Sequence, residues 1–245
     1  MRAALRTTLL LAPGPLLAQT SPVYTAAQLH CARYSETSHS EIETETARGS
    51  VEATTDRAGI WSFLARDSAG GILLEAWYDS LALRRRSADG EVSADTDGLI
   101  GGRYRGLLSP SGDYVEIARP FVPDEVAEVA DLSVAAVDLL PPLARLSRRA
   151  DTAVAGRRVL HFRLETRSDT SRTIPRGDTV PIPLRQSTME SGDIYWSPSS
   201  GLLRRTREIT IEATIPSGGR IRQAVRSRVV QRVELTRLPP QSSCR

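Results

Sequence analysis

The stretch Glu208–Ile215 reads EITIEATI, and its alternation decides the fold class. Isoleucine or alanine occupies every second position, with glutamate or threonine between, which is the period of a strand with one buried face and one face in water. Residues 216–219, PSGG, follow as a turn signal. A second run with apolar residues from Ile221 to Leu235 comes next, so the two runs predict a long, half-buried β-hairpin.

The same alternation recurs outward from this hairpin. Residues 159–165 read VLHFRLE, and residues 41–46 read EIETET. Further strands are predicted at 60–65 and 72–83, and a hairpin joins 102–108 to 114–118 around an SPSGD turn. Residues 167–183 are polar and contain prolines, which predicts a loop. The chain is therefore expected to be mainly β and antiparallel.

One segment has a helical period instead. Between Pro123 and Leu140, Val126, Val129 and Val137 recur at helical positions, acidic residues occupy the first turn, and two prolines follow the last. These signals predict a helix over about residues 123–140 with an apolar stripe that must be buried. We expect a β-rich α+β fold in which one curved antiparallel sheet, or half-barrel, wraps on this central helix.

The amino terminus has the layout of a secretory signal peptide. Arg2 and Arg6 precede a short leucine-rich stretch, and Ala18 is a small residue placed for cleavage before Gln19. The alternative is a ragged amino terminus of a cytosolic protein. We expect a signal peptide at residues 1–18, one domain at 19–245, and export to the periplasm or the extracellular space. No later segment reaches the roughly 20 apolar residues of a membrane helix, so no membrane span is expected.

Two cysteines, Cys31 and Cys244, lie near opposite ends of the exported chain. In an oxidising compartment an isolated pair favours one disulfide, which would join the two ends. Acidic residues of the run 41–46 would then face a basic face near the carboxyl terminus. That basic face comprises Arg222, Arg226, Arg228 and Arg232. We expect the first and last strands to lie close together, and even to close the sheet.

No group of residues in the sequence indicates a particular chemical reaction. The three histidines, His30, His39 and His161, have no metal-ligand spacing, and no serine has a Gly-x-Ser-x-Gly setting. The calcium-like stretch 95–98, DTDG, lacks the acid at position twelve of a full loop, where Tyr104 stands, and so favours a turn, although weak ion binding stays open. We expect no catalytic residue, no metal, no cofactor and no enzymatic activity.

Nucleic acid is an unfavourable partner for this chain. The formal net charge is +3, and loss of Arg2 and Arg6 with the signal peptide leaves +1. The arginine-rich face also lacks interleaved aromatic residues, which single strands need for stacking. No nucleic-acid partner is expected.

The order of strands, a helix segment and long terminal hairpins behind a signal peptide resembles the half-barrel lipoprotein-carrier group of bacterial envelopes. The resemblance covers most of the exported chain, rests on layout, and lacks a lipobox at Cys31. Residues 95–104 and 192–197 also resemble segments of uncharacterised exported bacterial proteins. The carriers of that group bind acyl chains inside the sheet, whereas the resemblance to exported proteins implies a compartment and nothing about activity.

The sequence therefore favours two alternative functions. The first is a non-enzymatic envelope protein that binds a hydrophobic or lipid ligand between sheet and helix. The expected ligand-lining residues are Val126, Val129, Val137, Leu140, Phe162 and Leu164. The alternative is a structural or protein-interaction module of the envelope that uses the arginine-rich hairpin or a sheet edge.

Overall fold

The computed structural model of the protein describes residues 21–122, 126, 140–176, 179–217 and 223–239. Strands dominate these ranges. They are β1 Arg33–Thr46, β2 Gly49–Ser68, β3 Gly71–Ser87, β4 Gly90–Ser93, β5 Tyr104–Leu108, β6 Tyr114–Ala118, β7 Leu146–Arg148, β8 Thr152–Val154, β9 Arg157–Arg176, β10 Thr179–Ser197, β11 Gly201–Ile215 and β12 Val225–Arg237. One short α-helix, α1 (Ala26–Leu29), and 3-10 turns at Asp97–Leu99 and Leu143–Arg145 accompany them.

Within the described ranges, one antiparallel sheet contains all twelve strands. Their order is β6-β5-β3-β2-β1-β12-β11-β10-β9-β7, with β4 on β3 and β8 on β9. The mainly β prediction is confirmed, and so is the predicted terminal hairpin, which pairs β11 with β12.

The first and last strands are neighbours in the middle of this sheet, as predicted. β1 pairs with β12 from Tyr34 opposite Arg237 to Glu45 opposite Arg226. The prediction that they close the sheet is wrong, because the sheet is open and ends at β6 and β7. The reason is that β2 and β11 already occupy the other edges of β1 and β12. Neither strand therefore keeps an edge for closure.

The loop predicted over residues 167–183 is also wrong. Its described residues belong to β9 and β10, which pair from Trp196 opposite Leu160 to Thr179 opposite Arg176. Residues 167–173 are exposed on both faces, so these strands extend past the apolar core. A strand without a buried face has no alternation of apolar and polar residues, so the sequence contains no periodic pattern that would predict it.

Most of the predicted central helix lies outside the described residues. Of residues 123–140, the structure describes Val126 and Leu140, and both are buried in the core. The helix itself stays a prediction. The described α-helix is α1, whose amino end Thr25 caps in a reciprocal capping box with Gln28. Among the described helices, none has the length and apolar content needed to cross a bilayer.

The hydrophobic core lies toward the end of the sheet that carries α1. Aromatic rings from both halves of the chain meet there: Tyr24 packs edge-on against Trp196 at 5.1 Å, and Trp61 lies 3.6 Å from Tyr78. Each buried aromatic side chain removes a large apolar area from water and stabilises the fold. The middle of the same sheet face carries buried polar residues instead, including Ser38, Ser40 and Thr55.

The two ends of the chain run side by side next to this core. The backbone N–H of Leu238 donates to the carbonyl of Arg33 over 2.8 Å. Cys31 is not a free cysteine, but Cys244 lies outside the described residues, so the Cys31–Cys244 disulfide stays a prediction. The predicted signal peptide, residues 1–18, lies outside them as well.

Candidate functional site

A cleft of about 1030 Å³ crosses the middle of the sheet, from β3 through β2, β1, β12 and β11 to β10 and β9. A row of directly opposed residues lies along it: Leu83 faces Arg57, Arg57 faces Ser38, Ser38 faces Val233, and Val233 faces Arg207. Opposed residues project from the same sheet face. We call these five residues the cleft row, and all five line the cleft.

The cleft lining changes character along its length. At the β3 end it is apolar, with Leu81 and Leu83 buried and Ala94 packed against the core. Toward β11 it becomes polar, with Val233 next to Arg207. The remaining lining residues are neighbours of the row along each strand. An elongated cleft with one apolar end and a few polar groups is the usual form of a site for an amphipathic small molecule.

A buried carboxylate on β1 holds the first arginine of the row. The Glu36 side chain is fully buried and forms an ion pair with the Arg57 guanidinium. Trp61 Nε1 donates to Glu36 over 2.7 Å, and the Tyr78 hydroxyl donates over 3.4 Å. Burial raises the pKa of Tyr78 well above its ordinary value, and Glu36 raises it further, so Tyr78 keeps its proton and acts as donor. Arg57 is thereby fixed in one orientation.

A second carboxylate, Glu190 on β10, binds two arginines of β11, Arg205 and Arg207. Arg207 Nε donates to Glu190 Oε1 over 2.7 Å, and Arg205 Nη2 donates to the same oxygen over 3.3 Å. The side chains of Arg205 and Arg207 are 5% and 14% exposed. Glu190 therefore bridges Arg205 and Arg207 near the polar end of the cleft.

Gly192 permits the close approach of β10 and β11 at this end, because it has no side chain. A Cβ atom on Gly192 would lie 2.1 Å from the carbonyl oxygen of Thr206, so no larger residue fits. Gly192 lines the cleft and lies opposite Leu164 on β9. The apolar core therefore adjoins the cleft at this pair.

The structure brings together the described members of the predicted ligand-lining set. Val126, Leu140, Phe162 and Leu164 are buried in one apolar cluster. They are distinct from the residues that line the cleft, although Leu164 lies opposite one of them. Val129 and Val137 lie outside the described residues. A ligand-lining role for the set stays a prediction.

The predicted basic face lies on the exposed side of β12 and is matched by acidic residues. Arg232 bonds Glu41 over 2.9 Å and Glu208 over 3.0 Å, and Arg228 faces Glu43 on one side and Glu212 on the other. Arg226 faces Glu45. Arg222 lies outside the described residues. The expected pairing of acidic and basic strands is confirmed.

The histidines each have a local partner. His30 Nδ1 lies 2.9 Å from the carbonyl oxygen of Ala65, His39 Nδ1 lies 2.7 Å from Asp56, and His161 Nε2 lies 2.8 Å from Asp193. In the described part of the chain, no group of three or more His, Cys, Asp or Glu side chains is placed to hold a metal ion.

Sequence reasoning missed the buried charges of the cleft. Glu36 occupies the same strand phase as buried Tyr34 and Ser38, and Arg207 shares the phase of Ile209. The available signal was a charged residue in the buried phase of a strand. Such a residue must have a partner of opposite charge, so its position indicates a buried ion pair. The partners lie on other strands and are not readable from local sequence.

No family model matches the chain, and no curated protein matches it significantly. Two solved structures are similar to it at low sequence identity. A lipovitellin structure solved for its lipid–protein interactions has a TM-score of 0.45 and 11% identity, and the match covers 88% of this chain and 26% of that one. An outer membrane lipoprotein-sorting protein domain from Vibrio parahaemolyticus has a TM-score of 0.19 and 12% identity, with 88% of each chain covered.

The chain thus spans about a quarter of the lipovitellin chain that it matches. The resemblance to lipoprotein carriers expected from the element order is confirmed in that a lipoprotein-sorting domain is among the similar structures. Both TM-scores are below 0.5, so neither structure bears on the function of this chain.

Proposed function

We propose that this protein is a non-enzymatic binding protein of the cell envelope that holds a hydrophobic or lipid ligand in the cleft across its sheet. The observation that carries the proposal is the cleft itself. Its volume of about 1030 Å³ lies at the upper end of the roughly 300–1,000 Å³ typical of ligand sites. The envelope location rests on the predicted signal peptide at residues 1–18.

The apolar end of the cleft supports a hydrophobic ligand. Leu81 and Leu83, which are 7% and 3% exposed, line that end, and Val233 adds a half-buried valine further along. Covering this surface with an alkyl chain gains about 25 cal/mol for each Å² removed from water. The core cluster around Phe162 and Leu164 adjoins the other end through Gly192, which lies opposite Leu164.

The test is uptake of a neutral naphthylamine dye that fluoresces when it leaves water. The variant Val233→Trp places an indole in the cleft row between Ser38 and Arg207, so we expect it to reduce dye binding at least tenfold while the protein stays folded. Val92→Trp is the matched control, because Val92 is 57% exposed on β4 and does not line the cleft. Equal dye binding by both variants would place the ligand elsewhere and overturn the proposal.

Native mass spectrometry of the purified exported protein gives an independent readout. We expect a stoichiometric adduct that is released on lipid extraction of the same sample. A bare protein mass, together with no dye uptake by the unmodified protein, would refute ligand binding.

A second candidate function is an interaction module that uses an edge of the sheet. The edge strand β6 carries Val115 and Ile117 at 64% and 60% exposure, and Phe121 just beyond it is 80% exposed. Exposed edges with apolar side chains pair readily with another chain. This reading predicts self-association or partner capture that Ile117→Lys abolishes, and no uptake of the dye.

A further inference from the structure

We infer that the cleft takes an uncharged amphiphile, whose head-group oxygen accepts a hydrogen bond from Ser38 and whose alkyl chain lies toward Leu83. This inference rests on the proposed function and adds the chemical class of the ligand. It has two grounds: the charged side chains of the lining are bound by other groups of the protein, and one buried hydroxyl keeps its proton for the ligand.

The two arginines of the cleft row are bound by carboxylates of the protein. Arg57 forms an ion pair with Glu36, whose side chain has no exposed surface, and Arg207 donates to Glu190 over 2.7 Å. These carboxylates are held in place by the sheet, whereas a ligand carboxylate would have to leave water before it could replace one of them. Both arginines therefore belong to structural ion pairs.

The other charged side chains of the cleft lining also have partners in the protein. The pairs are Arg84–Glu91, Arg163–Asp193, Arg232–Glu41, Arg232–Glu208, Glu234–Arg204 and Asp56–His39. A charged head group would have to separate one of these pairs or enter the cleft without a counter-charge, and both cost free energy. The lining therefore disfavours anions and cations alike.

Ser38 is the neutral polar residue in the middle of the cleft row. It lines the cleft and is 7% exposed. Gln231 Nε2 donates to Ser38 Oγ over 3.2 Å. A hydroxyl that accepts one hydrogen bond still has its own proton to donate. The Ser38 O–H is therefore placed to donate to an oxygen atom of a ligand.

Two buried hydroxyls near Ser38 differ from it in this respect. Thr96 lines the cleft, but its hydroxyl donates to the carbonyl of Leu81 over 2.6 Å. Ser40 lies two residues further along β1 on the same face and is buried, but it does not line the cleft. Ser38 therefore combines contact with the cleft and a proton that is not used in a backbone hydrogen bond.

The cleft row gives the direction of the tail. With neighbouring strands about 4.8 Å apart, Leu83 lies two strand spacings, or about 10 Å, from Ser38. Arg57 lies between them, and its guanidinium is bound to Glu36. An alkyl chain from a head group at Ser38 therefore reaches the buried leucines of β3, which form the apolar end of the cleft.

The experiment compares dodecanol, dodecanoate and dodecylamine as competitors of the neutral dye on the unmodified protein at about pH 8. The three compounds share one tail and are uncharged, anionic and cationic at this pH. We expect dodecanol to compete at least tenfold more strongly than either charged compound, since a charge without a counter-charge in a buried site costs more than that factor.

Competition by dodecanoate or dodecylamine that equals or exceeds that of dodecanol would overturn the inference and leave the proposed function standing. Dye uptake that none of the three compounds displaces would do the same. Absence of dye uptake by the unmodified protein would overturn both.

Two changes at Ser38 locate the head group. Ser38→Ala removes the donor, so we expect dodecanol to compete roughly threefold to tenfold less strongly, which is the factor for one hydrogen bond. The dye has no oxygen acceptor and should bind as before. Ser38→Thr keeps the hydroxyl and should retain the competition by dodecanol.

Ser40→Ala is the matched control, because it removes a buried hydroxyl from the same face of β1 outside the cleft lining. Equal competition by dodecanol in Ser38→Ala and Ser40→Ala would refute the assignment of the head group to Ser38. If Ser38→Ala does not fold, Ser38→Cys replaces it with the same expectation, because a thiol is a weak donor.

Discussion

Replacing Arg57 by glutamine tests whether the buried ion pair holds the cleft together. The Glu36 carboxylate has no exposed surface, and Arg57 is its charged partner. In Arg57→Gln, Glu36 keeps the neutral donors Trp61 and Tyr78 but loses the guanidinium charge. An uncompensated buried charge costs about 3–5 kcal/mol, so we expect the free energy of unfolding to fall by this amount.

The double variant Glu36→Gln/Arg57→Gln separates charge from shape. A glutamine at position 36 still accepts from Trp61 and carries no charge, so the double variant should be about 2 kcal/mol or more stable than Arg57→Gln alone. Urea unfolding followed by tryptophan fluorescence measures both values, since Trp61 is part of the network and reports its loss directly.

Arg84→Gln is the matched control for this experiment. Arg84 lies on the neighbouring strand β3 and pairs with Glu91, but both side chains are about half exposed. Exposed ion pairs contribute about 0–1 kcal/mol. If Arg57→Gln costs no more than Arg84→Gln, or if the double variant is no more stable than Arg57→Gln, the buried-pair reasoning is wrong.

Three further outcomes follow from the structure. Gly192→Ala should cost several kcal/mol in thermal unfolding, because its Cβ would meet the Thr206 carbonyl oxygen at 2.1 Å, whereas Gly70→Ala, with 3.4 Å to a flexible leucine, should be near neutral. Burial raises the pKa of Tyr104 to about 12, so the folded state holds this proton more tightly than the unfolded chain. The stability contributed by Tyr104 should be full below about pH 10 and fall by up to about 1.4 kcal/mol per pH unit as pH rises toward about 12. Tyr104→Phe, which also removes a buried hydroxyl without a partner among the described residues, should make the decline in urea titrations shallower by this amount and leave the part due to the other tyrosines with raised pKa values, Tyr24, Tyr34, Tyr78 and Tyr114. Arg232→Ala should cost less than about 1 kcal/mol and lose its effect in high salt, because both of its ion pairs are exposed; a larger, salt-independent loss would contradict this.

The terminal hairpin shows which strands and strand pairings can be predicted from local sequence. EITIEATI and the run that ends at Leu235 predicted β11 and β12, and the opposite charges of residues 41–46 and the basic face predicted that β1 lies beside β12. Alternation reports which face of a strand is buried, and complementary charges report which strands tolerate each other as neighbours. Each pattern is carried by side chains that lie close together along their own strand.

The strands of residues 167–176 and 179–183 show where this reasoning stops. They extend beyond the core, expose both faces where their side chains are described, and carry no apolar period, so only the hydrogen bonds between β9 and β10 make them strands. Every residue except proline has both a backbone donor and an acceptor, so whether such a segment becomes a strand depends on a partner strand at the right place.

The sequence by itself determined that this chain is mainly β, where most strands lie and which of their faces are buried, because those features depend on the local period of apolar residues. Tertiary structure alone decided that the sheet stays open and that Leu83, Arg57, Ser38, Val233 and Arg207 form one row. It also decided that Glu36 holds one arginine while Glu190 holds two. These arrangements join residues up to about 200 positions apart through strand register, and register is set by the sum of all pairings across the sheet.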